Sequence, residues 1–252
     1  MKRILISGSI ALFSLICLWV INIFTLVWVF LPVCLIWLSI LIFLVYRVKN
    51  NFWDNLFLVI MTALSFLGLI SLLEPMYLRY FLMFLAGLVI FFIFLRIFHT
   101  TTTSLSYQEK PYRRMLTMLW IFNSYALITF GFALSIFFPK TPFWLISFLV
   151  GILIGYISIV VWKMYFNVPI ERFFLRAVIL AVVVWEVMWV IHFLPLGYFA
   201  LGALVAWLWY LMQLFIRFHL SKRGIIWKKQ IGFLLSNLVL YFLVLYFFVR
   251  WI

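Results

Sequence analysis

From Ile4 to Tyr46 the chain runs for 43 residues without a charged side chain. As one helix, that stretch would be about 64 Å long at a rise of 1.5 Å per residue, roughly twice the hydrocarbon thickness of a bilayer. It must therefore double back. Asn22 is the polar position best suited to the turn, and Pro32 competes with it. Without a turn, the chain would have eight spans instead of nine.

The remaining sequence repeats the pattern on a shorter scale. Apolar runs of roughly 18–24 residues, long enough to cross a bilayer as helices, are joined by short polar breaks. Of the 252 residues 69% are hydrophobic and 10% charged, against about 45–50% and about 25% in soluble domains. No soluble fold of this length can hide so much apolar surface, so the solvent must be lipid. Barrel strands would alternate apolar and polar residues, and these runs are continuously apolar.

The expectation is an all-α polytopic transmembrane bundle, folded as a single integral membrane domain over residues 1–252. Its spans fall at about 4–21, 24–46, 56–73, 80–98, 115–138, 143–164, 176–194, 198–217 and 231–250. MKRILISGSI resembles the start of a signal peptide, but no small-x-small cleavage site follows, so it reads as a retained first helix.

The net charge is +14. On a soluble domain this would suggest nucleic acid. On a membrane protein the basic residues set topology and meet anionic lipid head groups, and no nucleic-acid partner is expected. With the N-terminus inside, 16 of the 19 Lys and Arg residues fall on the inner side, and only Arg79, Lys140 and Arg250 fall outside. That asymmetry favours an odd number of spans, with the C-terminus outside. Lys222, Arg223, Lys228 and Lys229 in the loop SKRGIIWKK are the expected contacts to lipid head groups. Outer breaks are short and carry Pro75, Pro139, Pro142 and Pro195, which end helices.

Glu186 is the residue that composition leaves unexplained. It stands in AVVVWEVMWVIHF, near the middle of the seventh span counted from Arg176 to Leu194. A charge at the bilayer centre costs at least about 2.5–3.5 kcal/mol on insertion scales. Such a carboxyl is either neutral, paired, or in use. Helical spacing groups it with Val182, Trp189 and Val190, so a partner must come from another helix. Asn123 is a neutral candidate at similar depth, and Arg79 and His192 are possible charge partners. Asn123 also belongs to an inner-half set with Gln213 and Asn237 (and Ser124, Tyr156, Ser158 and Ser236), which line a polar pocket open to the inside if they face one another. Alternatively, they hydrogen-bond pairwise between helices, at about 0.6 kcal/mol each.

GILIG at 151–155 lets two helix backbones approach closely. YFLMFLAGLVIFFIFLRIFH at 80–99 and YFALGALVAWLWYLMQLFIRFH at 198–219 form a loose repeat. Cys17 and Cys34 lie in apolar runs and match no metal or CxxC spacing, so they read as packing residues. No HExxH, GxSxG, P-loop or dinucleotide fingerprint is present, and no cofactor, metal or catalytic residue is expected.

Residues 177–210, with the span-seven glutamate followed by LPLGY, resemble an uncharacterised family of multi-spanning membrane proteins from uncultivated small-genome bacteria. The resemblance covers about half the chain and implies no activity. It suits a bacterial cytoplasmic (inner) membrane. The leading expectation of function is a carrier of a small or lipid-like solute using Glu186, followed by a non-catalytic assembly subunit of a membrane complex and then an enzyme acting on lipid-linked substrates. An enzyme needs ionisable groups that the sequence scarcely offers.

Overall fold

The computed structural model describes residues 2–23, 27–48, 52–99, 109–166, 171–220 and 227–248. Among them are nine helices and no strand: α1 (Lys2–Ile23), α2 (Val27–Val48), α3 (Phe52–Leu72), α4 (Met76–His99), α5 (Glu109–Phe137), α6 (Phe143–Tyr165), α7 (Glu171–Ile191), α8 (Tyr198–Leu220) and α9 (Trp227–Phe248). Eight are long and apolar enough to cross a membrane; in α9 the apolar segment is Ile231–Tyr246. The chain is an integral membrane protein built as a polytopic helical bundle.

The long apolar stretch is two helices. α1 carries Asn22 in its last turn, and Pro32 lies within α2. Pro32 is the sixth residue of α2, past the four N–H groups that lack a partner inside the helix, so it costs the helix one bond, to the carbonyl of Trp28.

The backbone divides into two compact units, Met1–Lys110 and Pro111–Ile252. In the first, α1 lies along α4, α2 packs on α3 and α1, and α3 packs on α4. Gly87 makes the α1–α4 approach possible: a Cβ there would stand 2.7 Å from Leu15 Cγ. Trp37 on α2 is fully buried. Its indole N–H has no water to turn to in lipid and donates to Ser14 Oγ on α1 at 3.0 Å. Cys17 and Cys34 are buried free thiols.

In the second unit α6 and α7 are the most closely packed pair, and α7 also packs on α8. Gly151 and Gly155 form the seam: Cβ atoms there would lie 2.8 Å from Ala181 O and 3.0 Å from Ala177 O. Trp209 of α8 donates to Ser158 Oγ of α6 at 3.0 Å. α9 meets α8 through Trp207, whose indole donates to Asn237 Oδ1 at 3.2 Å and whose ring meets Tyr241 at 5.7 Å.

Ser158→Ala strands the buried Trp209 N–H, and the expected loss is about 1 kcal/mol. Ser236→Ala should change little, because the exposed Ser236 hydroxyl bonds only to Phe233 O of its own helix. Thermal unfolding of both variants in one detergent measures the difference.

Candidate functional site

α7 has two faces. Phe173, Ala177, Leu180, Val184 and Met188 are buried, at the spacing of one helix stripe. Val178, Val182, Glu186 and Val190 follow one another at intervals of four along the other side, and all four are exposed. The glutamate therefore stands on the outward stripe of a helix that crosses lipid. It lies within the apolar span Phe173–Ile191, nearer to Ile191 than to Phe173. Among the described residues, no hydrogen bond or ion pair reaches its carboxyl.

Beside it, α6 and α7 leave a groove of about 390 Å³. Its narrow parts are Gly155, Ala177 and Ala181, the same small residues that let the two backbones meet. Phe148, Phe174 and Trp185 bring aromatic bulk to its sides. Val182 lines it, and Glu186 is one helical turn further toward Ile191. Trp185, next to Glu186, meets Phe148 edge to face at 5.5 Å, and its buried indole nitrogen has no hydrogen-bond partner among the described residues.

Among the described residues, none of those expected to share a site with Glu186 bonds to it. Asn123 on α5 and Gln213 on α8 are buried within the second unit. Asn237 on α9 accepts from Trp207 and donates to Phe233 O. His192, just past α7, stacks on Phe143 with centroids 4.0 Å apart, and Phe143 stacks in turn on Phe132. Arg79 belongs to the first unit, where its guanidinium donates to Leu73 O and, at 3.3 Å, to Asn22 Oδ1. Lys222 and Arg223 lie outside the described residues, as do the side chains of Lys228 and Lys229.

The interior of the second unit holds a separate polar level. The contacts Trp209–Ser158 and Arg217–Tyr165 both join α8 to α6, with residue numbers rising together, so these helices run in the same direction. Gln213 and Trp162 fall between the two contacts at a common level. Neither the Gln213 amide nor the Trp162 indole N–H has a hydrogen-bond partner among the described residues.

Sequence reasoning did not find the groove or the arginines gathered at Tyr165. The groove had one legible signal, the small residues Gly155, Ala177 and Ala181. The Tyr165 cluster joins Thr117, Tyr165 and Arg217, positions too far apart in sequence for any motif. Among the described residues, no group of three His, Cys, Asp or Glu side chains could hold a metal ion. Comparison with family models, curated proteins and solved structures gives no match.

Proposed function

We propose that this protein is a non-catalytic subunit of a membrane assembly, and that the outward face of α6 and α7 receives a transmembrane helix of its partner. The observation that carries this is Glu186, a carboxyl with no partner among the described residues, on an exposed stripe within an apolar span. Lipid offers it neither a donor nor a counter-charge, and intramembrane ionisable residues ordinarily face protein or a water-filled cavity. A partner helix with Lys, Arg or an amide at that depth would supply the donor. The groove alongside would accept its apolar side chains. Interhelical hydrogen bonds and close packing at small residues drive such association in membranes.

The test is the size of the protein extracted from its native membrane in a mild detergent. The wild type should migrate as an assembly well above a single chain. Glu186→Gln, which keeps hydrogen-bonding capacity, should retain most of it. A wild type that migrates as a single chain sinks the proposal.

Transport of a small or lipid-like solute is the alternative that Gln213 favours. A buried amide with neither end paired among the described residues is costly, and a polar solute or water passing between α6 and α8 would satisfy it. If the protein is a carrier, Gln213→Leu should abolish flux in liposomes while Glu186→Leu spares it.

The proposed location is a bacterial cytoplasmic membrane with the N-terminus inside. In the second unit, basic residues mark one set of helix ends: Arg113 near the start of α5, Lys163 near the end of α6, Arg176 near the start of α7 and Arg217 near the end of α8. The α5–α6 break at the opposite ends holds Lys140, and the α7–α8 break holds neither Lys nor Arg. This is the asymmetry that orients helices in membranes.

A further inference from the structure

Tyr165 closes α6 and gathers three neighbours. Its hydroxyl and Thr117 Oγ1 of α5 are 2.8 Å apart. The Arg217 guanidinium of α8 stands over its ring at 4.5 Å, and that of Arg113, one turn before Thr117 on α5, at 5.7 Å. Three helices thus bring two permanent cations to one aromatic ring. Thr117 Oγ1 also bonds Arg113 O, which fixes the first turns of α5 against Tyr165.

The two guanidinium carbons are no more than about 10 Å apart, as their distances to the ring centre require, so like charges meet here with little room between them. Each is half-buried, and stacking on the ring offsets only part of the lost hydration. Among the described residues, no carboxylate lies against either one. The whole chain has only five acidic residues, and the two at this end of the unit, Glu109 one turn before Arg113 and Glu171 at the start of α7, have side chains outside the described residues. Both arginines also lie near helix ends that flank the apolar spans, the level at which lipid phosphates sit.

We propose that Arg113 and Arg217, positioned by Tyr165, form a binding site for a phosphate group. Arginine suits this ligand because its planar fork donates two parallel hydrogen bonds to phosphate oxygens, which a lysine ammonium does not. The Tyr165 ring orients the forks, and Thr117 fixes the ring. The phosphate can come from a lipid head group or from a soluble phosphate compound, and the two sources are separable by experiment.

The purified full-length protein in detergent is titrated with a short-chain phosphatidic acid, with the matching uncharged diacylglycerol, and with inorganic phosphate. Thermal stability and native mass spectrometry are the readouts. A ligand that binds only the folded state raises the melting temperature with concentration. Phosphatidic acid should stabilise the wild type and remain bound in the gas phase, while the diacylglycerol should do neither. Arg113→Gln and Arg217→Gln should each weaken binding about tenfold, in line with the loss of one charge-assisted pair.

Arg217→Lys keeps the charge and loses the fork, so it should bind more weakly than wild type and more tightly than Arg217→Gln. If inorganic phosphate saturates the site as tightly as the lipid, the ligand is a soluble phosphate and the site stands. Equal binding by the diacylglycerol overturns the proposal. So does undiminished phosphatidic acid binding by the double glutamine variant. Should that variant fail to fold, the wild type decides: its binding must weaken steeply as salt is raised, and salt-independent binding overturns the site.

Discussion

Glu186→Leu should make the isolated chain more stable in a membrane and, at the same time, release it from its assembly. The two effects have opposite signs because the carboxyl lies on the exposed stripe of α7 and not in the packed interior. For the single chain, replacing a carboxyl in the lipid-facing span with leucine removes a penalty of at most about 2.5–3.5 kcal/mol, the insertion-scale cost at the bilayer centre. No partner is orphaned inside the unit, since among the described residues none bonds to Glu186. For the assembly, the same change leaves the partner's donor buried and unpaired, a loss of about 2–5 kcal/mol of association. The variant should therefore melt higher in detergent and migrate as a single chain after mild extraction. Lower melting would mean that the carboxyl is bonded inside the fold. A persisting assembly would mean that another face holds the partner.

The second large effect is expected at glycines, and it divides them sharply. Gly202→Ala places a methyl group on top of Thr129, where even the backbone Cα of Thr129 would be 2.9 Å away. Gly151→Ala pushes a methyl against Ala181 O. A backbone oxygen cannot rotate away as a side chain can, so the helices must part. Overpacking of this kind costs about 1–3 kcal/mol, and valine at either position should prevent folding. Gly8 and Gly232 have nothing within 4 Å of a built Cβ. Alanine at either should be neutral or stabilising by up to about 1 kcal/mol, the propensity gain over glycine in a helix. Melting temperatures of the four alanine variants test the ranking, and similar losses at all four would refute the seam.

Helix number and order were legible because hydropathy in lipid is a length measurement. Helix ends were less so, because hydropathy marks the membrane segment and not the helix. α5 was expected from about residue 115 and starts at Glu109, since Glu-Lys-Pro-Tyr-Arg-Arg continues the helix beyond the apolar run. α7 was expected to reach Leu194 and ends at Ile191, where Pro195 disfavours helical backbone at Leu194.

The face of Glu186 followed from spacing by four. Which way that face points did not. A soluble helix announces its inward side by contrast with its polar side, whereas the span of α7 is apolar on every face but for Glu186 and looks much the same toward lipid as toward protein. Small residues carry what signal remains, and GILIG did mark a close approach, though without naming Ala177 and Ala181 as the other wall.

Because the backbones of α6 and α7 touch at Gly151 and Gly155, no layer of side chains lies between them to repack. The pair can tilt as a rigid beam but cannot shear. α6 ends at Tyr165, where α5 and α8 converge, and α7 carries Glu186 toward the opposite end. A load applied at one end of this hairpin is therefore felt as leverage at the other.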